Sequence, residues 1–145
     1  MHRGGRQEDG STLILAIFYG MLSLLLILMV AAATSLYLER KRLYSLADAA
    51  ALVGAEAFEL SSVSVDEGEP TVVLRSPEVR DAVAEFLEKN PVGTFDALAL
   101  QDAASVDGRS ATVTLSSAWQ PPVLTLFVPD GIRLEVTAVA RSVFR

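Results

Sequence analysis

From Ser11 to Leu38 the chain reads STLILAIFYGMLSLLLILMVAAATSLYL, a stretch without one charged residue. About 20 helical residues, at 1.5 Å each, cross a hydrocarbon layer ~30 Å thick, so this run is long enough with residues to spare. Each central Leu, Ile, Phe or Val favours insertion by ~0.3–0.6 kcal/mol, and the Leu22–Val30 block easily carries Gly20 and Ser23. A buried core helix is the competing use of such a run. It would need apolar partners on every side, and a chain of 145 residues cannot supply them. We therefore expect residues 11–38 to form a transmembrane helix.

Glu39-Arg40-Lys41-Arg42 closes this run, and LYSLADAAALVGAEAFEL follows. Leu43, Leu46, Ala50, Val53, Ala57 and Leu60 recur there at alternating spacings of three and four, the seam of a helix packed against another element. No proline occurs before Pro70, so nothing breaks the helix at the membrane surface. Residues 39–60 are expected to extend the same helix outside the bilayer. Its seam is short and Ala-rich, which favours packing on the chain's own C-terminal domain over oligomerisation. Asp48 sits among Ala47, Ala49, Ala50 and Ala51, where another backbone can approach closely. It is read either as a partner for a basic group or as an exposed carboxylate.

Residues 1–10, MHRGGRQEDG, form a polar tail or a possible leader. Gly10-Ser11 places a short charged segment directly before the apolar helix, the arrangement of a leader cut at the cytoplasmic face. Ala31-Ala32-Ala33 fits the small-residue rule of a secretory signal peptidase, although the apolar region before it exceeds the usual length. Arg3 and Arg6 precede the span and Arg40, Lys41 and Arg42 follow it, so the distribution of basic residues does not decide the orientation.

About 85 residues remain for one small domain, 61–145. It carries seven Lys/Arg against twelve Asp/Glu, a balance that argues against nucleic acid as a partner. The chain has no cysteine, which removes disulfides and thiolate chemistry. Ser61–Pro70 reads as an acidic loop without EF-hand ligand spacing, and Thr71–Arg75 as a short strand. Ser76-Pro77 opens a helix with Ser as N-cap, buried through Val79, Ala82, Val83, Phe86 and Leu87 and ended by Asn90-Pro91. Phe95–Ser105 and Arg109–Trp119 form a hairpin about Asp107-Gly108. In its second strand Ala111, Val113, Leu115 and Trp119 share one face, with Trp119 at the edge of the core. Val123–Val128 is either a helical turn or a short strand. The last strand places Ile132, Leu134, Val136, Ala138 and Ala140 inward and Arg133, Glu135, Thr137 and Arg141 outward. The fold class is α+β: a long N-terminal transmembrane helix continuing into a small domain with one helix on a three- or four-stranded antiparallel sheet.

Signatures of catalysis are missing from the sequence. There is no Gly-rich phosphate loop, no G-x-S-x-G and no H-E-x-x-H, and the single histidine, His2, lies in the polar tail. The residues point to no catalytic, cofactor or metal site and to no small-molecule substrate.

Leu36 to Ala55, LYLERKRLYSLADAAALVGA, following an apolar span and a charged tail that ends in Gly10, resembles the TadE/TadG-like proteins of tight-adherence (Flp) pilus systems. Gly131 to Arg141, GIRLEVTAVAR, is similar to the final strand of TadE-type domains. The resemblance implies a non-catalytic minor pilin or pseudopilin-like component of pilus assembly. Its N-terminus would be cytoplasmic and its domain extracytoplasmic, and its helix would pack laterally with other assembly proteins in the membrane, where Gly20 and the small residues Ala31–Ser35 allow close approach. Prepilins carry Glu five residues after the cleaved glycine, and here that position is Leu15. An anchored TadG-like accessory therefore fits better than a filament subunit. The alternative class is an envelope-anchored binding module unrelated to pili. An exposed apolar patch or a concave sheet would favour it, whereas a long helix laid along one sheet face would favour the pilin-like reading.

Overall fold

The computed structural model describes residues 8–57, 63–66, 69–90, 95–121 and 129–141. Helix α1 runs unbroken from Glu8 to Glu56, so the apolar run and its polar continuation are one helix. It begins before Ser11, which places Gly10-Ser11 inside helical backbone and not in an extended tail. It ends four residues before Leu60: the Ala57 N–H donates to Gly54 O at 3.2 Å in a tight last turn. Leu60 lies outside the described residues, as does Val123–Val128.

Strands β1 (Val63–Asp66) and β2 (Glu69–Val72) pair antiparallel as a separate two-stranded ribbon. Much of the segment expected to be a loop is therefore a hairpin. V-S-V-D and P-T-V do carry a short β-type alternation, and Pro70 is tolerated because, among the described residues, its strand has a neighbour on one side only. Acidic residues obscured this pattern in the sequence.

Helix α2 spans Ser76–Lys89, with Pro77 in its first turn. Ser76 does not cap it. Its hydroxyl instead donates to Ser105 O and accepts from Ser105 N–H, both at 3.1 Å, tying the helix start to the end of a strand. At the other end Asn90 donates to Phe86 O through both its backbone N–H and its side-chain amide. Val79 and Val83 are fully buried and Ala82, Phe86 and Leu87 flank them, as their spacing predicts.

The main sheet is β3 (Asp96–Ala104), β4 (Ser110–Trp119) and β5 (Ile132–Arg141), antiparallel in that order. Asp107 organises the β3–β4 connection: its carboxylate accepts from the N–H groups of Arg109 and Ser110 and from the Ser110 hydroxyl. Gly108 supplies the positive φ of 68°. The backbone hydrogen bonds, Arg109 first, hold the Asp107 pKa down at about 2.

β4 buries Ala111, Val113, Leu115 and Trp119 on one face. On the opposite face Thr114 and Thr137 pair hydroxyl to hydroxyl across β4 and β5 at 3.0 Å. β5 alternates as expected from Leu134 to Arg141, whereas Ile132 is half exposed. That residue pairs with Trp119 at the far end of the sheet. α1 packs on β4 and β5, and α2 on α1 and β3. The core is thus a layer of two helices on a three-stranded sheet, and α1 is its central rod.

Candidate functional site: the two-part helix

From Gly10 to Ile27 every residue of α1 is exposed, including Leu13, Ile14, Phe18, Leu24, Leu25 and Leu26. The helix is long and apolar enough for single-pass membrane anchoring. Nothing approaches within 4 Å of a Cβ built at Gly10 or Gly20, so another helix has room beside either one.

The upper part is the reverse case. Leu43, Leu46, Ala47, Ala50, Ala51 and Ala55 are all buried in the core cluster, and Gly54 is buried with them. These residues follow i, i+3, i+4, i+7, i+8, i+11, i+12, the stripe of a straight 3.6-residue helix. The three-and-four seam of the sequence reading holds for Leu43, Leu46 and Ala50 and then drifts. Val53 and Ala57 are only partly buried, while Ala51, Gly54 and Ala55 take the centre. A strict seven-residue repeat slips by ~20° per heptad against a straight helix, and contact with a sheet imposes no supercoil to absorb that slip. The sequence signal that could have found Gly54 is its place in the small-residue series 47, 50, 51, 54, 55. A Cβ at Gly54 would lie 3.0 Å from Val79 Cγ1 and 3.2 Å from both Ala111 Cβ and Val83 Cγ2. The smallness of this stripe sets how closely α1, α2 and β4 meet.

Asp48 lies off the stripe and is exposed. It shares a shallow depression with Tyr37, Arg40, Lys41, Tyr44 and Ser45 on one side of α1. Its exposure leaves the carboxylate accessible. The surface around it mixes aromatic rings with both signs of charge and lies at the end of the apolar run.

Trp119 marks a second attachment of the domain to α1. It is only 8% exposed, and its indole N–H donates to Ser35 Oγ at 3.2 Å. Edge-of-core was the expectation for Trp119, but its partner was not foreseen: the two residues lie 84 positions apart and Ser35 belongs to the apolar run. Gly131, at φ 69°, secures this corner. A Cβ there would lie 2.8 Å from Trp119 O.

The described residues thus define an α+β domain in which one helix is both part of the core and, in its lower half, long and apolar enough for single-pass membrane anchoring. The family model Tad, putative Flp pilus-assembly TadE/G-like, matches residues 10–57, almost the same bounds as α1 and a third of the chain. No curated protein and no solved structure matches the chain. The matched segment holds the bare apolar run, the small-residue stripe and the Tyr37–Asp48 surface together, so the likeness lies in the helix that carries all three features.

Proposed function

We propose that the protein is a non-catalytic, membrane-anchored component of a Flp-type pilus or a related assembly system, of the TadE/TadG-like minor pilin or accessory kind. Its N-terminus lies in the cytoplasm and its domain outside. One observation carries the reading: the family match and α1 coincide, and α1 lies along one face of the sheet, the layout that separates a pilin-like subunit from a free-standing binding module. The apolar half of α1 meets other assembly proteins inside the bilayer, with Gly20 as a point of close approach. Outside it, the exposed side around Asp48 offers a carboxylate to a basic partner.

The test is photo-crosslinking in native membranes, with the reactive group placed at Gly20 or at Asp48. Adducts to other pilus assembly proteins are the expected result. Adducts to lipid alone, with pilus output unchanged when the protein is deleted, would contradict the reading. Asp48→Leu is expected to lower pilus output and partner capture while the unfolding free energy of the domain stays within about 0.5 kcal/mol, as for an exposed surface position. Normal output and capture from that variant would remove Asp48 from the interaction. Intact mass of protein from native membranes reports on Gly10-Ser11. Loss of residues 1–10 would indicate leader cleavage and a filament subunit, and an uncut chain a permanently anchored accessory.

A further inference from the structure

Two contacts fix the height of the domain on α1. Near its top, Gly54 meets Ala111; lower down, Ser35 meets Trp119. Eight strand steps of about 3.3 Å separate Ala111 from Trp119, ~26 Å. Nineteen helix steps of 1.5 Å separate Ser35 from Gly54, ~28 Å. β4 therefore runs antiparallel beside α1 over its whole length, and its far end reaches into the charge-free run. Consistent with this, Leu28, Ala32, Ser35 and Leu36 are half-buried, whereas residues 10–27 are exposed on all sides.

Counting ~20 residues from Ser11 ends a ~30 Å crossing near Val30. Ser35 is five residues further, roughly 8 Å beyond the hydrocarbon. The polar headgroup layer adds roughly 5–8 Å on each side of the bilayer, and any tilt of the helix lowers Ser35 further towards it. We propose that the Trp119–Ile132 end of the sheet is seated in the lipid headgroup layer on the domain side of the membrane. The crossing then ends near Val30, and residues 31–38 serve as the surface on which the domain docks. This inference rests on the membrane-anchored reading above and adds a second, peripheral contact with lipid.

The side chains at this level suit a headgroup layer. Trp119 lies at this level but is almost wholly covered by protein, with its indole N–H satisfied by Ser35, so it reports on the depth of the sheet end while its neighbours meet the lipid. Ile132, opposite it in register, is 48% exposed although its strand alternation directs it inward. Lipid covers what the protein leaves bare. On α1 the exposed Tyr37 follows Ser35 by two residues, ~3 Å along the axis, an aromatic at the outer edge of that layer.

Trp119 is the chain's only tryptophan, so the wild-type protein carries its own probe. The full chain is reconstituted into phosphatidylcholine–phosphatidylglycerol vesicles carrying a nitroxide quencher either on the headgroup or deep in the acyl chain. The expected result is quenching of Trp119 emission severalfold stronger with the headgroup quencher. Emission unaffected by either quencher, from protein that floats with the vesicles, would overturn the seating and leave the anchor intact. That is the result if a second copy or another protein covers Ile132, or if the domain stands clear of the lipid. Stronger quenching by the deep nitroxide would also overturn it, by placing Trp119 in hydrocarbon. Failure of the chain to float would instead overturn the anchored reading on which the proposal stands.

Discussion

The two halves of α1 share one backbone and opposite surroundings. From Leu13 to Ile27 most side chains are large and apolar on every side, and all are exposed. Above Arg42 the buried residues are confined to one stripe, most of them alanine or glycine, while Tyr44, Ala49 and Leu52 lie exposed off it. A helix covered by lipid needs apolar surface all round and gains nothing from periodicity. A helix covered by a sheet on one side needs a stripe, and one narrow enough to let the sheet approach. On the membrane-anchored reading proposed above, the change from large to small side chains marks the change from lipid to protein as solvent. Leu28–Arg42 is the zone where one gives way to the other.

The contrast is sharpest at paired leucines. Leu43→Ala, deleting a fully buried side chain, is expected to cost about 2–5 kcal/mol of domain stability. The exposed Leu25→Ala should change it by no more than about 0.5 kcal/mol. Urea unfolding in detergent micelles, followed by Trp119 emission, compares the two, and equal losses would erase the distinction between the halves. Next in size is Gly54→Val. A Cβ there would press on neighbours at 3.0–3.2 Å and valine adds two methyl groups to it, so overpacking should cost about 1–3 kcal/mol, while the same change at the open Gly20 should leave the domain unaffected.

Smaller still, Ser35→Ala removes the acceptor of the Trp119 indole N–H and should cost about 0.5–1.5 kcal/mol, with an altered emission maximum as its marker. The smallest effect is one of pH. The Asp107 pKa is held at about 2, below its ordinary 3.8, by the turn's N–H groups. A lowered carboxylate pKa stabilises the fold above the unfolded value, so the contribution of Asp107 is complete above about pH 4 and is lost as pH falls towards 2. Asp107→Asn should flatten the acid limb of the stability curve in that window. An unchanged limb would show that the turn is not coupled to folding.

Much of this architecture was legible from residue order alone. The charge-free run, the alternation of β4 and of β5 from Leu134 onward, the Asp107-Gly108 turn and the α2 stripe each report a local physical constraint, and each appears where the pattern places it. Three features were not legible. The β1–β2 ribbon was hidden because Asp66, Glu67, Glu69 and Pro70 read as loop residues, and a two-stranded ribbon with no second neighbour among the described residues tolerates them. The drift of the buried stripe from Val53 to Gly54 depends on whether the partner is a coiled helix or a flat sheet, which no spacing within α1 encodes. Ser76 was assigned the local bond its type prefers and instead binds Ser105, 29 residues away. The same limit applies to the candidate site. Gly20 and Asp48 could be singled out from sequence, but the Ser35–Trp119 contact exists only once β4 lies along α1.

The most direct test of a helix with two surroundings is thiol accessibility along α1 in native membranes. The chain has no cysteine of its own, so single cysteines introduced from residue 12 to residue 56 report without background. The account predicts complete protection from a membrane-impermeant maleimide through residues 12–30. Beyond Arg42 it predicts a periodic pattern, with positions 44, 45 and 48 labelled and 43, 47, 50 and 54 protected. Labelling within 12–30, or a 3.6-residue periodicity of protection there, would mean that protein and water, not lipid, surround the lower half, and would contradict the account.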